Sequence, residues 1–190
     1  MDKVALFFTG MPGSGKSTAA EILNDYGFKT FELRWIVERE MNKNNINIDT
    51  KSIRDFSKSI REKYGNAAVV LIGRDMIIDF ASNNNRIAFG GLRSFDEYSE
   101  IKSLLKDFRS LLIAIEADPE IRFKRSLSVN KIDKPRTLEE FLEREKAETN
   151  FGIIDAMKRA DIHITNNYDS IEDFKKELID RLRSNGVFID

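Results

Sequence analysis

The chain has 190 residues, 41% of them hydrophobic and 33% charged, with a formal net charge of −1. That length suits one domain with a substantial core, and the near-neutral charge supplies no global pull toward nucleic acid or an anionic membrane. There is no cysteine and only one histidine, His163, which excludes disulfides, thiolate catalysis and cysteine-based zinc sites and argues against triads and poly-histidine metal centres. The chain enters an apolar run within three residues of Met1, leaving no room for a signal peptide. No apolar stretch approaches the roughly 18 residues of a membrane span. The expectation is a cytoplasmic protein without a membrane partner.

Val4 to Thr9 is apolar and of strand length. It leads into Gly10-Met11-Pro12-Gly13-Ser14-Gly15-Lys16-Ser17-Thr18, which fits G-x-x-x-x-G-K-[ST], the pattern of a phosphate-binding loop. The chemistry needs these residue types in this order. Glycines let the backbone curl so that its N–H groups face an anion. The Lys16 ammonium can then reach the terminal phosphates, and the Ser17 hydroxyl can bind Mg²⁺. Thr18 to Tyr26 has helical spacing with Gly27 as its stop. A helix opening at this loop adds partial positive charge beneath the phosphates. Strand, loop and helix together are the context that supports the motif, with Gly10, Pro12, Gly13, Ser14, Gly15, Lys16, Ser17 and Thr18 as nucleotide-binding candidates.

Phe28 to Leu33 reads as a second strand and Trp35 to Met41 as a helix, closed by the polar tract 42–47. Ile53, Phe56, Ile60 and Tyr64 form one stripe of an amphipathic helix that ends at Gly65. Ala67 to Phe80 is long and apolar, which predicts one buried helix. After the polar tract 82–85, Arg86 to Phe89 is a third strand, ending in Gly90-Gly91-Leu92-Arg93. Ser94 to Glu97 has the form of a capping box opening a helix. Leu111 to Ile115 is an apolar strand buried on both faces, and Asp118-Pro119 supplies an N-cap and a first-turn proline.

Residues 126–136 lack periodicity and carry Lys131, Lys134 and Arg136, which suggests a mobile basic loop or a surface loop with no partner. Thr137 to Glu140 is another capping box. Glu139, Glu140, Glu143 and Glu145 read as a solvent-facing helix surface. A helix over about 152–160, the strand Asp161 to Thr165 and a last helix with Ile171, Phe174, Leu178 and Leu182 in register complete the chain. His163, between two isoleucines, reads as structural, and Trp35 suits packing or stacking on a base. Strands alternating with helices predict an α/β fold with a parallel sheet covered on both faces.

Several stretches carry a resemblance: Gly10 to Ser17, Arg61 to Gly65, Gly91 to Ser94, Arg122 to Arg125, Arg144, Phe151 to Ile153 and Ala160 to Asn166. Through them the sequence resembles nucleoside-monophosphate kinases and dephospho-coenzyme A kinases, and more closely an archaeal family of uncharacterised adenylate-kinase-like proteins. The resemblance implies a three-layer α/β/α P-loop fold with a five-stranded parallel sheet. Within the single domain the core would comprise about 1–32, 84–125 and 149–190. An acceptor-binding helical insert would span about 33–80 and a lid about 126–136. It further implies transfer of the γ-phosphoryl group of ATP, with Mg²⁺, to a small phosphate acceptor. In that role Lys16 would hold the transferred group, Ser17 the metal and Arg93 the acceptor's phosphate. Arg122, Arg125, Lys131 and Arg144 would clamp the triphosphate, with Arg125 counted among the catalytic candidates. ATP as the nucleotide rests on the resemblance, since no base-reading motif is visible.

Two positions depart from the relatives' pattern. Their third strand usually ends in Asp-Gly, where the aspartate anchors Mg²⁺ through water; here Gly90-Gly91 stands instead. An acid common just after the second strand is replaced by Arg34 and Trp35. Glu32, Asp96 or Glu116 are the acids that could substitute. Two readings follow: a small-molecule kinase, or a weakened nucleotide-dependent switch acting through a protein or RNA partner. The sequence leaves the acceptor and the oligomeric state open.

Overall fold

The computed structural model describes residues 3–128 and 137–187. Its centre is β1 (Val4–Thr9), buried along its whole length, which is why it reads as an unbroken apolar run rather than an alternating one. Around it lie β2 (Lys29–Glu32), β3 (Arg86–Gly90), β4 (Arg109–Glu116) and β5 (Ile162–Thr165), all parallel, in the order β2-β3-β1-β4-β5. Leu6 of β1 lies opposite Ala88 of β3 on one side and Leu111 of β4 on the other. Strand order reverses at β1, so the crevice at its carboxyl end is where this topology leaves room for a ligand.

The period of two along β1 divides the core. Ala5 and Phe7 face one side, where Phe7 stacks on Phe89 at 4.7 Å between ring centres and meets the edge of Tyr98. Val4, Leu6 and Phe8 face the other. The first face is covered by α2 (Arg34–Lys43), α4 (Ala68–Ile72), α5 (Arg74–Asn83) and α6 (Phe95–Leu104). The second is covered by α1 (Lys16–Asn24) and α10 (Ile171–Ser184), through Leu23, Phe174, Leu178 and Leu182. The result is the expected three-layer α/β/α arrangement.

Four helices lie between β2 and β3: α2, α3 (Thr50–Tyr64), α4 and α5. Asp49 caps α3 by accepting the Ser52 N–H at 2.9 Å, and Gly65 closes it. Tyr64 is 47% exposed, so the apolar stripe on α3 narrows to Ile53, Phe56 and Ile60. The single helix expected over 67–80 is two. It breaks at Gly73, where a Cβ would collide with the side chain of Ile36, so close approach of α2 overrides the apolar pattern. The polar tract after it is partly helical: Asn83 and Asn84 donate side-chain bonds to the carbonyls of Asp79 and Phe80, prolonging and finishing α5.

Beyond β4 come α7 (Pro119–Ser128), α8 (Leu138–Asn150) and α9 (Ile153–Lys158). Ser126 to Ser128 complete α7, so the expected basic loop does not begin at 126. Lys131, Lys134 and Arg136 lie outside the described residues. The capping box at α8 is complete in both arms between Thr137 and Glu140. At α6 only one arm forms: Ser94 Oγ accepts the Glu97 N–H at 3.1 Å, while the Glu97 carboxylate turns to other partners. Among the described residues no helix is long and apolar enough to cross a membrane.

Candidate nucleotide and acceptor site

The loop between β1 and α1 is built so that its carbonyls are occupied from outside. Lys16 Nζ donates to Gly10 O at 2.6 Å and Met11 O at 3.0 Å, and the Ser14 N–H also reaches Met11 O. Arg122 donates to Pro12 O, Arg125 to Gly13 O and Asn166 Nδ2 to Ser14 O, at 3.3, 3.5 and 2.8 Å. Five consecutive carbonyls are thereby committed. The first N–H groups of α1 have no partner within their helix, so the loop and helix terminus present donors to an anion. Gly13 and Gly15 take φ of +82° and +106°, a region side-chain-bearing residues rarely adopt. Ser14 Oγ is buried and without a partner among the described residues. A donor-lined cradle, a lysine at its rim and the exposed hydroxyl-bearing Ser17 on the first turn of α1 fit a nucleotide triphosphate with its metal.

The loop opens into a cavity of about 480 Å³. Gly10, Pro12, Gly13, Gly15, Lys16, Ser17, Thr18, Arg93, Arg125 and Arg144 line it, as does Glu32. A second cavity of about 380 Å³ lies beside it, between α8 and the helices α2 and α3. Its wall is apolar at Leu33, Val37, Ile53 and Val69, and cationic at Arg34 and Arg54. Among the described residues, the two cavities share Gly91, Arg93, Arg144 and Glu148.

The acid missing from β3 has a physical counterpart. A Cβ on Gly90 would run into the Glu32 carboxylate, which comes from the paired position on β2 and occupies that space. Of the three acids considered as substitutes, Glu32 lines the nucleotide cavity, whereas Asp96 and Glu116 do not. Glu116 instead meets His163 Nδ1 at 2.8 Å on a half-exposed surface. Trp35 packs edge-on against Phe31 at 5.5 Å and is 42% exposed.

The arginines divide by role. Arg122 is buried: its Nε donates to Ala117 O at 2.9 Å, and its fork engages the Glu145 carboxylate while one nitrogen also reaches Pro12 O. Expected as a clamp, it sits behind the loop and does not line the cavity. Glu145, expected to face solvent, is its ion-pair partner, because α8 packs toward α7 rather than standing away from it. Arg125 donates to Tyr168 O at 2.8 Å and Asn166 Oδ1 at 3.3 Å. Burial lowers its pKa, with Asp169 opposing, yet a guanidinium starts so high that it keeps its charge. Arg93 lies 3.4 Å from Glu148, and its guanidinium is 5.7 Å from the Phe151 ring centre. Its backbone N–H donates to Glu97 at 2.7 Å. Glu97, fully buried, also takes Arg61 Nη2 at 2.7 Å, tying α3 to the turn that carries Arg93.

The sequence marks no site role for Asn166, Glu97 or Glu148. Asn166 follows β5 and its signal was only a place in the resemblance. Glu97 was hidden by its capping-box position. Glu148 sits among four other glutamates of α8 with nothing local to distinguish it.

Comparison with known proteins agrees with this architecture. Residues 9–142 match the family described as AAA domain. A UPF0200 protein of Saccharolobus islandicus is 33% identical over 186 residues, covering 95% of each chain. One from Pyrococcus abyssi is 30% identical, covering 91% of this chain and 92% of its own. Among solved structures, TT1252 from Thermus thermophilus superposes with a TM-score of 0.70 at 19% identity, covering 98% of this chain and 99% of that one. Shikimate kinase from Acinetobacter baumannii, in complex with shikimate, gives 0.57 at 14% identity over 97% and 96%. The structural likenesses establish the P-loop kinase fold, and the sequence matches establish that this chain belongs to the AAA-domain family and to the UPF0200 proteins.

Proposed function

We propose that this protein is an ATP-dependent phosphotransferase acting on a small molecule. The observation that carries the reading is the meeting of two cavities at Arg93 and Arg144, one holding the phosphate loop and the other walled by α2 and α3. Lys16 and the α1 terminus would bind the β- and γ-phosphates. Ser17 would hold Mg²⁺ directly and Glu32 through water; the metal supplies neutralisation of charge on the phosphates. Arg125 would face the phosphates from the α7 side. Arg93 and Arg144 would steady the group in transit, since catalysis of phosphoryl transfer is mainly positioning and electrostatic stabilisation. The helices between β2 and β3 would serve as the acceptor-binding insert, with the segment about 126–136 as the lid. Arg122 is assigned to holding the loop in shape. Gly90 suggests a weakened nucleotide switch, and the Glu32 carboxylate beside it supports the kinase reading instead.

The test is calorimetric titration with ATP in the presence of Mg²⁺ and of EDTA, followed by ADP release against nucleotides, shikimate and dephospho-coenzyme A. Metal-dependent binding with acceptor-stimulated ADP release is expected. Lys16→Ala should lose at least about a hundredfold in turnover, the usual cost of one transition-state interaction. Unchanged turnover in that variant would refute the site, and acceptor-independent release alone would favour the switch.

A further inference from the structure

We infer that the acceptor's nucleophile is a hydroxyl group rather than a phosphate, and that Glu148 is the base that takes its proton. This rests on the phosphotransferase reading above. The γ-phosphoryl group must cross where the two cavities join, and the described residues common to both are Gly91, Arg93, Arg144 and Glu148. A glycine and two guanidinium groups cannot accept a proton near neutrality; the carboxylate can. Glu148 is 8% exposed, so bulk water does not compete freely for it. Its ion pair with Arg93 is a single 3.4 Å contact to Nε, which leaves acceptor lone pairs on the carboxylate. The other acids lining the nucleotide cavity, Glu21, Glu32 and Asp169, do not line the second cavity, and Glu32 lies against Gly90 on the far strand.

The need for a base separates the two acceptor classes. A phosphate nucleophile arrives already ionised and has no use for a carboxylate at the junction. A hydroxyl arrives neutral and gains from a positioned base. In the step assigned here, the hydroxyl oxygen attacks the γ-phosphorus and a new O–P bond forms. The bond from that phosphorus to the β,γ-bridging oxygen breaks, its electron pair leaving with ADP. The hydroxyl proton passes to a Glu148 carboxylate oxygen. Arg93 turns from Glu148 toward the transferred group as the carboxylate is neutralised.

The experiment uses the full chain, Mg²⁺ and ATP against two panels: adenosine, shikimate and dephospho-coenzyme A, and the monophosphates AMP, CMP, GMP and UMP. Product is read by phosphorus NMR as a phosphate ester or an anhydride. Hydrolysis of ATP by water with no ester from any panel compound would favour the switch and overturn the hydroxyl assignment. Ester formation is expected. In it, Glu148→Gln should lower kcat 10²–10⁴-fold, change KM for the acceptor only a few-fold and remove the acid limb of the pH–rate profile, and Glu148→Asp should restore part of the rate. Mg–ATP affinity by calorimetry should stay within a few-fold in both variants, which separates loss of the base from loss of the fold. Anhydride products, or a Glu148→Gln protein that keeps its kcat or its acid limb, would overturn the hydroxyl assignment while leaving the phosphotransferase standing. Absence of Mg–ATP binding in the unaltered chain would overturn both.

Discussion

At Gly90, a hydrogen in place of a side chain leaves room for the Glu32 carboxylate from the neighbouring strand, and the two positions are register partners. The carboxylate is thus delivered to the end of β3 from β2. This predicts reciprocity. Gly90→Asp alone should destabilise by about 1–3 kcal/mol, the ordinary cost of overpacking, with added repulsion between carboxylates. Combining it with Glu32→Gly should recover most of the loss in thermal unfolding and restore the Mg²⁺-dependence of ATP affinity. Equal damage in the single and double variants would mean that the two positions do not share one task. From sequence, the absence of an acid at Gly90 was plain, and Glu32 was one of three possible replacements. Choosing among them required the pairing of β2 with β3, which no local pattern encodes. The phosphate loop was legible because its residues are contiguous; the place of Glu32 beside Gly90 was not, because it is assembled across strands.

Among the elements, α8 does most to join the two cavities. It carries Glu145 to Arg122, which holds Pro12 and Ala117, and Glu148 to Arg93, where the two cavities meet. Arg122 and Glu145 have side chains only 5% and 18% exposed, so screening by solvent is slight. Removing one partner leaves the other charge buried, which commonly costs 3–5 kcal/mol. Arg122→Ala, or Glu145→Ala, should therefore lower the unfolding midpoint and weaken ATP binding, because the loop loses a brace on the Pro12 carbonyl. Weaker ATP binding with full stability would instead place Arg122 among the groups that touch phosphate. Helix existence was readable from periodicity and caps, as the complete box at Thr137 and Glu140 illustrates. What the helices face was not. Glu145 looks like any solvated glutamate until α7 lies beside it, and Glu97 leaves its box because Arg61 and the Arg93 N–H are stronger claimants in the interior. The break at Gly73 likewise depends on Ile36, a contact between helices far apart in the chain.

Across the whole molecule, stability is distributed unevenly between the sheet and the helices that separate β2 from β3. The sheet is held by apolar burial, which is indifferent to pH. The inserted helices lean on surface carboxylates: Asp49 caps α3, and Asp75 at the start of α5 is bound to Arg39 of α2 at 3.0 Å. Hydrogen bonds from Ser52 hold Asp49 below the usual aspartate range, and the Arg39 guanidinium does the same for Asp75. A depressed folded-state pKa means that the unfolded chain binds more protons in the window between the two values. The contribution is therefore complete above the ordinary aspartate pKa and is lost as pH falls through the depressed one. Both groups are exposed, so the effect on global stability is small, but its location is specific. Native-state hydrogen exchange, corrected for intrinsic rates, should show α3 and α5 losing protection on acidification before β1 and β4. Asp49→Asn with Asp75→Asn should weaken the two helices at neutral pH and flatten that dependence. Protection that falls in step across helices and sheet, or an unchanged slope in the double variant, would show that the inserted helices are anchored by their apolar contacts with Phe31 rather than by these two carboxylates.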